Sequence, residues 1–403
     1  MSEALARRAY AGVRVAKVDG GLRVESVDAT AALARVGVEA GDVLLAAAGV
    51  SLGDDAALKG VIRGLRAGDS LVLRVSRAGV VREVSVALDA WPAESYPDAT
   101  VSLGSVTRDG YRLRTVVVEP RAERPHPALF FVQGYSCATV ERPDMVASHD
   151  GLRGLVGALV AGGCAVWRVE KRGVGDSGGE PCAAQGFFEE HEDLAAALAS
   201  MLAHPRVDNS RVALFGHSLG ATHAPALAAR FREVGALVVY GGGIVPWIEY
   251  LDVNGRRQMR LAGLADADVA ALAALRRRFF HAVLIEGESP RAVLARDADL
   301  AGARGWLGLD AQGRIEGRGE QYWREVNAAP AERWFAETRA PVLSIWGTKD
   351  AVSERDEHVR IAEVARDGRF VELDGADHGM MRGGAFDGRI ARGVLDWVRA
   401  LSA

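Results

Sequence analysis

The segment Gly216-His217-Ser218-Leu219-Gly220 carries the strongest chemical signal in the chain. It follows an apolar run, Arg211 to Phe215, and leads into the helical pattern Ala221 to Arg232. A strand that turns into a helix through Gly-x-Ser-x-Gly holds its serine in a strained, exposed position. The glycines are needed because the turn brings backbone segments too close for side chains. Serine is a poor nucleophile until a base removes its proton, so this chemistry requires a histidine and an acid that orients it. Both follow in order: the run Pro341 to Trp346 ends in Gly347-Thr348-Lys349-Asp350, and Arg369 to Leu373 ends in Asp374-Gly375-Ala376-Asp377-His378. We expect Ser218 as nucleophile, His378 as general base and Asp350 as the orienting acid. Asp374, Asp377 and Asp356 compete for that last role, and Asp377, adjacent to the histidine, is better suited to holding its loop.

Among the nine histidines, only His378 has this placement. His217 is expected to pack beneath the serine turn, His191 to be solvated on a charged helix start, and His126 to lie in a linker. His149, His204, His223, His281 and His358 read as caps, helix surface or packing. Attack on a carbonyl also needs donors for the developing oxyanion. The backbone N–H of Leu219 supplies one, and the loop Gln133-Gly134-Tyr135-Ser136-Cys137, after the run Ala128 to Val132, supplies the second through Tyr135 N–H. Nothing in this scheme needs a metal or an organic cofactor. Cys137 has no such strand-to-helix turn around it and reads as packing, Cys164 as a buried strand start and Cys182 as a loop residue. Three cysteines without metal-ligand spacing suit a reducing cytoplasm better than a disulfide framework.

These residues need a sheet to position them. From Val101 onward, a hairpin around Asp109-Gly110 gives way to strands at Ala128–Val132, Ala165–Val169, Arg211–Phe215, Ala236–Tyr240, Pro341–Trp346 and Arg369–Leu373, separated by amphipathic helices. That alternation implies a largely parallel sheet covered on both faces. The interval from Gly243 to about Thr338 interrupts it with helical segments at Asp266–Ala282 and Ser289–Ala301, and is expected to form a cap over the active site. Trp247, Tyr250, Phe279, Phe280, Trp306, Tyr322, Trp323 and Trp334 give this cap aromatic side chains suited to an apolar or aromatic substrate group, or to its own packing.

Residues 10 to 88 form a different pattern. Runs at Val13–Val18, Leu22–Val27, Val43–Ala47, Ser70–Ser76 and Val80–Leu88 alternate with glycine turns, and helical periodicity covers Ala29–Val36 and Asp54–Leu65. Trp91-Pro92-Ala93-Glu94-Ser95-Tyr96-Pro97 reads as a linker. The expected organisation is a small β-rich domain over 1–90, a linker over 91–100 and an α/β domain over 101–403, with the cap at 243–338.

Composition excludes other classes. With 403 residues, 49% hydrophobic, the chain can bury a large core. A formal net charge of −4 with scattered signs leaves no electrostatic footprint for nucleic acid, and Arg276-Arg277-Arg278 is too short to be more than a solvated helix face. The start, MSEALARRAY, lacks the apolar core of a secretory signal, and no stretch is long and apolar enough to span a bilayer, so a cytoplasmic location is expected.

Two family resemblances sharpen these expectations. Ala31-Ala32-Leu33, the stretch Val36 to Leu44 with its Gly41-Asp42 turn, Gly49-Val50, and Gly68-Asp69 before Leu71 to Val75 resemble a PDZ domain. Tyr10-Ala11-Gly12-Val13 stands where such domains place a carboxylate-binding loop. The resemblance implies that an extended C-terminal peptide or partner protein docks between the strand starting at Val13 and the helix Asp54–Leu65. From Val101 to the end, the chain resembles α/β-hydrolases. Glu170-Lys171-Arg172-Gly173-Val174-Gly175-Asp176-Ser177 is similar to the Asp-Lys-Arg-Gly-x-Gly-x-Ser segment of a bacterial group of esterases and peptidase-like hydrolases, in which it shapes the loop beside the active site. In this sequence the segment is taken as structural. Glu170 stands for the usual Asp, Leu219 for an acidic residue and Ala221 for a glycine. The expected function is hydrolysis of an ester-like bond in a small molecule through an acyl-enzyme. Peptide cleavage or acyl transfer at the same site, and a catalytically silent binding scaffold, are the alternatives.

Overall fold

Alternating apolar residues shape the N-terminal strands. In Ser70–Arg77, Leu71, Leu73 and Val75 point into a core while Ser70, Val72 and Arg74 face outward, the period of a sheet with one wet face. The computed structural model describes residues 5–122, 125–143 and 150–401; His149, Ser402 and Ala403 lie outside them. The chain divides into two compact units, Met1–Ala93 and Glu94–Ala403.

In the first unit, β1 (Val13–Val18), β2 (Gly21–Val27), β3 (Val43–Ala47), β4 (Ser70–Arg77) and β5 (Val80–Ala87) pair antiparallel in that order, with Val50–Ser51 added beside β3. Helix α1 (Ala32–Arg35) and helix α2 (Asp55–Arg63) complete it. Asp54 caps α2 by accepting from Ala57 N, satisfying one of the N–H groups that a helix start leaves open.

The second unit is built on an eight-stranded sheet. β6 (Ala99–Arg108) and β7 (Tyr111–Pro120) form an antiparallel hairpin. β8 (His126–Val132), β9 (Ala165–Val169), β10 (Val207–His217), β11 (Val234–Tyr240), β12 (Val342–Gly347) and β13 (Gly368–Leu373) follow, and the sheet order is β13-β12-β11-β10-β8-β9-β7-β6. The six from β8 to β13 run parallel, and β7 meets β9 antiparallel. His126, expected in a linker, is instead the buried first residue of β8.

Strand β8 shows why the central runs are almost wholly apolar. Its Ala128, Phe130 and Val132 join a core with α4 (Phe187–Leu202) and α5 (Gly220–Arg230), while Leu129 and Phe131 join another with α3 (Gly151–Ala161) and α13 (Gly388–Ala400). Both faces are dry, so the outward alternation of the N-terminal sheet disappears.

Between β11 and β12 the chain is helical: α6 (Trp247–Leu261), α7 (Asp266–Leu284), α8 (Pro290–Arg296), α9 (Ala298–Gly302), α10 (Glu320–Ala328) and α11 (Ala331–Glu337). Phe279, Phe280, Leu307, Tyr322 and Trp323 pack with Phe187 and Leu219 into a third core of the same unit. This core ties the insertion to the residue following Ser218. Helix α12 (Arg355–Val364) then crosses between β12 and β13.

Candidate active site

Strand β10 ends at His217, and Ser218 takes φ +54, a left-handed conformation that costs a side-chain-bearing residue about 1–3 kcal/mol. The surrounding packing enforces it. A Cβ on Gly216 would lie 2.8 Å from Ala221 Cα, and one on Gly220 would lie 2.1 Å from Val132 O, so both glycines are steric requirements of the turn. Ser218 N donates to Tyr240 O at 2.9 Å, hanging the turn on the adjacent strand, and α5 begins immediately after Leu219.

Asp350 and His378 arrive on loops after β12 and β13. His378 Nδ1 lies 2.9 Å from Asp350 Oδ2. Asp350 is buried and also accepts from Val352 N at 2.7 Å, Ser353 N at 2.9 Å and Ser353 Oγ at 2.7 Å. Burial alone would raise its pKa, but the hydrogen bond and charge of His378, with the Ser353 donors, hold it down at about 2. The carboxylate is therefore ionised and directional. Gly241, next to the residue that anchors Ser218, sits against this pair: its missing Cβ would lie 2.9 Å from His378 Nδ1 and 3.2 Å from Asp350 Oδ2. Ser218 and Gly241 line one pocket, so the glycine that meets the His378–Asp350 pair also borders the space that Ser218 borders.

His217 packs beneath, as expected of it. Its Nε2 is 2.8 Å from His378 O, fixing the backbone at His378, and burial followed by the nearby His378 charge depresses its own pKa to about 4. The competing acids have other contacts. Asp377 accepts from Met381 N at 2.9 Å, and its carbonyl accepts from Tyr240 OH at 2.5 Å, whereas Asp374 lies 3.3 Å from Thr348 Oγ1. Both hold the histidine loop.

Tyr135 and Leu219 border the pocket with Ser218. Gly134 is pressed onto the serine, since a Cβ there would lie 3.0 Å from Ser218 Cβ and 3.3 Å from Oγ. Among the described residues, neither Leu219 N–H nor Tyr135 N–H donates to another protein group.

The pocket, counted with the open space at its mouth, spans about 580 Å³. Of the eight cap aromatics singled out from the sequence, only Trp247 and Tyr250 line it, stacked at 4.4 Å. Tyr322, Trp323, Phe279 and Phe280 are interior to the cap. A residue that sequence reasoning missed also lines the pocket: Glu357, on α12, accepts from Ile244 N at 2.7 Å and Val245 N at 3.2 Å. Burial raises its pKa against those hydrogen bonds. It sits on an amphipathic helix among other charges, and only the tertiary path of α12 turns it toward the cavity.

Two further expectations fail. Cys137 and Cys182 are joined in a disulfide, leaving Cys164 as the free, buried thiol, so the reading of three unpaired cysteines is corrected. Their separation of 45 residues carries no signal of pairing; the fold brings the loop after β8 against the short turn Cys182–Ala184. His191 is not a freely solvated surface residue: half-buried, it stacks between His223, at 5.6 Å, and Trp334, at 6.3 Å, and this partial burial depresses its pKa to about 4. The helix Phe187–Leu202 turns this position toward the cap rather than toward water.

The first unit carries a groove of its own. β1 is an edge strand of its sheet and faces α2, with Val13, Val15, Ala57 and Val61 partly buried along the groove. At its head, Gly12 adopts φ +67 with its missing Cβ only 2.3 Å from Ala31 Cβ, and Tyr10 OH donates to Asp28 at 3.0 Å.

Comparison with known proteins adds family to geometry. Residues 109–370 match the family model described as X-Pro dipeptidyl-peptidase (S15 family), and residues 9–88 match that of the PDZ domain. No curated protein matches. Among solved structures, the chain is similar to Est1E from Butyrivibrio proteoclasticus with ferulic acid bound (18% identity, 74% of this chain and 99% of that one, TM-score 0.52). It is also similar to the α/β hydrolase GrgF from Penicillium sp. sh18 (20% identity, 75% and 98%, TM-score 0.50) and to DcsB in complex with a substrate analogue (19%, 75% and 99%, TM-score 0.50). At these identities the similarity establishes the α/β-hydrolase fold of the second unit. The first unit is a PDZ domain.

Proposed function

The chain belongs to the S15 family of X-Pro dipeptidyl-peptidases and is a serine hydrolase; from that premise we propose that Ser218, His378 and Asp350 act as its triad on ester-like bonds of a small molecule. Asp350 accepts the Nδ1 proton of His378, which leaves Nε2 as the lone pair that takes the Ser218 proton. Ser218 Oγ attacks the acyl carbon, the carbonyl oxygen gains negative charge, and Leu219 and Tyr135 N–H groups receive it. His378 returns its proton to the leaving oxygen, and water repeats the sequence to release the acid. The observation that carries this reading is the strained Ser218 on the wall of a pocket that also meets, through Gly241, a hydrogen-bonded His378–Asp350 pair.

A second reading, peptide cleavage, is favoured by the family and by Glu357. A carboxyl group buried in the pocket wall suits a substrate ammonium such as a free peptide N-terminus, whose charge would draw the acid back to its ionised form. The test is hydrolysis of p-nitrophenyl esters and of peptide anilides with free or acetylated N-termini, by wild type and Ser218→Ala, with a fluorophosphonate to label the nucleophile. Ester turnover and labelling that both vanish in the variant support the first reading. Turnover confined to anilides with free N-termini moves the second ahead, and retention of activity in Ser218→Ala rejects both.

The groove between β1 and α2 is the place where the PDZ domain would take an extended C-terminal peptide, by adding it to the sheet edge. Titration with a C-terminal peptide library tests this, and binding equal for free and amidated C-termini would reject carboxylate recognition. The Cys137–Cys182 disulfide favours an oxidising setting over the expected cytoplasm, since cytosolic thiol systems keep most pairs reduced. Alkylation of the protein quenched directly from cells distinguishes one free thiol from three.

A further inference from the structure

The peptide group that carries the Tyr135 N–H is gripped from behind. Its oxygen, Gly134 O, accepts from Lys171 Nζ at 2.5 Å. The next carbonyl, Tyr135 O, accepts from Arg318 Nη1 at 3.1 Å. Both cations converge on one carboxylate, Lys171 Nζ at 2.9 Å from Glu190 Oε1 and Arg318 Nη2 at 2.7 Å from Glu190 Oε2. All three side chains are buried, at 6%, 2% and 0% exposure for Lys171, Glu190 and Arg318. Arg318 also touches both sulfurs of the disulfide, 3.0 Å from Cys182 Sγ and 3.8 Å from Cys137 Sγ.

In a planar trans peptide the C=O and N–H point in opposite directions. A donor fixed on Gly134 O therefore aims Tyr135 N–H away from the cluster, on a residue pair that already packs against Ser218. Hydrogen bonds in a chain also polarise one another, so a cation on the carbonyl strengthens the N–H as a donor. Buried ion clusters contribute little net stability because desolvation offsets attraction, which leaves this one without a sufficient purpose as a fold element. Lys171 and Arg318 against Glu190 leave one net positive charge behind the loop.

We propose that Lys171, with Arg318 and Glu190, is a positioning group for the oxyanion site: it locks the Gly134–Tyr135 peptide so that Tyr135 N–H faces the oxygen that becomes negative when Ser218 attacks. This rests on the triad reading above and deepens it. It gives the Glu170–Ser177 segment a role beyond structure, and it links that segment to Arg318 of the cap, far away in sequence. Burial depresses the Lys171 pKa to about 8 against the raising effect of Glu190, in keeping with a charge held in a costly place.

The test uses the full-length protein, with Lys171→Met, which leaves Glu190 paired with Arg318, with Arg318→Met, which leaves it paired with Lys171, and with the double variant Lys171→Met/Glu190→Gln, which keeps the net charge of the protein. Each is measured for kcat and KM on a p-nitrophenyl ester, for fluorophosphonate labelling rate, for inhibition by a boronic acid that mimics the tetrahedral intermediate, and for melting temperature. We expect kcat to fall by about 10²-fold in Lys171→Met with KM unchanged, and boronate affinity to fall in parallel. In the double variant, which also takes the carboxylate from buried Arg318, the melting temperature falls further and kcat stays low. If wild type labels normally and the double variant, folded, matches wild type in kcat and boronate affinity, the positioning role is overturned while the triad stands. If wild type itself does not label, the triad reading fails and takes this proposal with it.

Discussion

Replacing Asp350 by asparagine separates the chemistry of this site from its shape. The carboxylate uses Oδ1 to accept from Val352 N and Ser353 N, and Oδ2 to accept from Ser353 Oγ and His378 Nδ1. In Asp350→Asn the amide oxygen can keep the first pair, which places the NH2 group at the second. Facing a donor, His378 Nδ1 must become an acceptor, so its proton moves to Nε2. The ring then presents N–H rather than a lone pair toward Ser218. The loss expected is about 10⁴-fold in kcat, or about 5 kcal/mol of transition-state stabilisation. Stability changes too. A carboxyl held at about 2 rather than its ordinary 3.8 contributes roughly 2 kcal/mol at neutral pH, present above 3.8 and lost as pH falls through 2. The asparagine lacks it, so the melting temperature should fall by roughly 5 °C. Steady-state hydrolysis of a p-nitrophenyl ester and calorimetry, with Asp374→Asn and Asp377→Asn as controls, measure both. Activity within tenfold of wild type in Asp350→Asn, together with a large loss in either control, would refute the assignment of the acid.

Three further outcomes follow from the same geometry. His358 is fully buried, Nδ1 2.8 Å from Ser344 Oγ, with its pKa depressed from 6.5 to about 4 by burial. The unfolded chain therefore binds the extra proton first, and stability is full above pH 6.5 and drops by about 3 kcal/mol as pH falls to 4. His358→Gln should flatten that part of the melting-temperature curve, and an unchanged slope would discount the histidine. The disulfide closes a loop with a sequence separation of 45, which on the chain-entropy model is worth about 4 kcal/mol. Cys137→Ser/Cys182→Ser should lower the denaturant midpoint accordingly and remove its sensitivity to reductant; a wild-type midpoint indifferent to reductant would contradict the pairing. Trp247→Ala opens the pocket wall beside Tyr250, so the preferred acyl chain should lengthen in an ester series while acetate turnover changes by less than tenfold. An unaltered chain-length profile would remove Trp247 from substrate contact.

Chemical type and local order were legible in the sequence alone. The strand–Gly-x-Ser-x-Gly–helix order, the Ser, Asp, His succession and the sheet's apolar runs are local patterns, because strand period, turn sterics and helix starts act over a few residues. The PDZ motif was legible for the same reason, since its Gly-Asp turn and alternating strands are set by neighbours in the chain. Tertiary structure decided what depends on meetings between distant segments. It brought Lys171, Glu190 and Arg318 together behind the loop at Tyr135, joined Cys137 to Cys182, stacked His191 against Trp334, and turned Glu357 and only two of eight cap aromatics to the pocket. An arginine or glutamate in an amphipathic helix looks the same in sequence whether it faces water or a cavity. The difference is made by burial, which depends on which surfaces meet once the whole chain has packed.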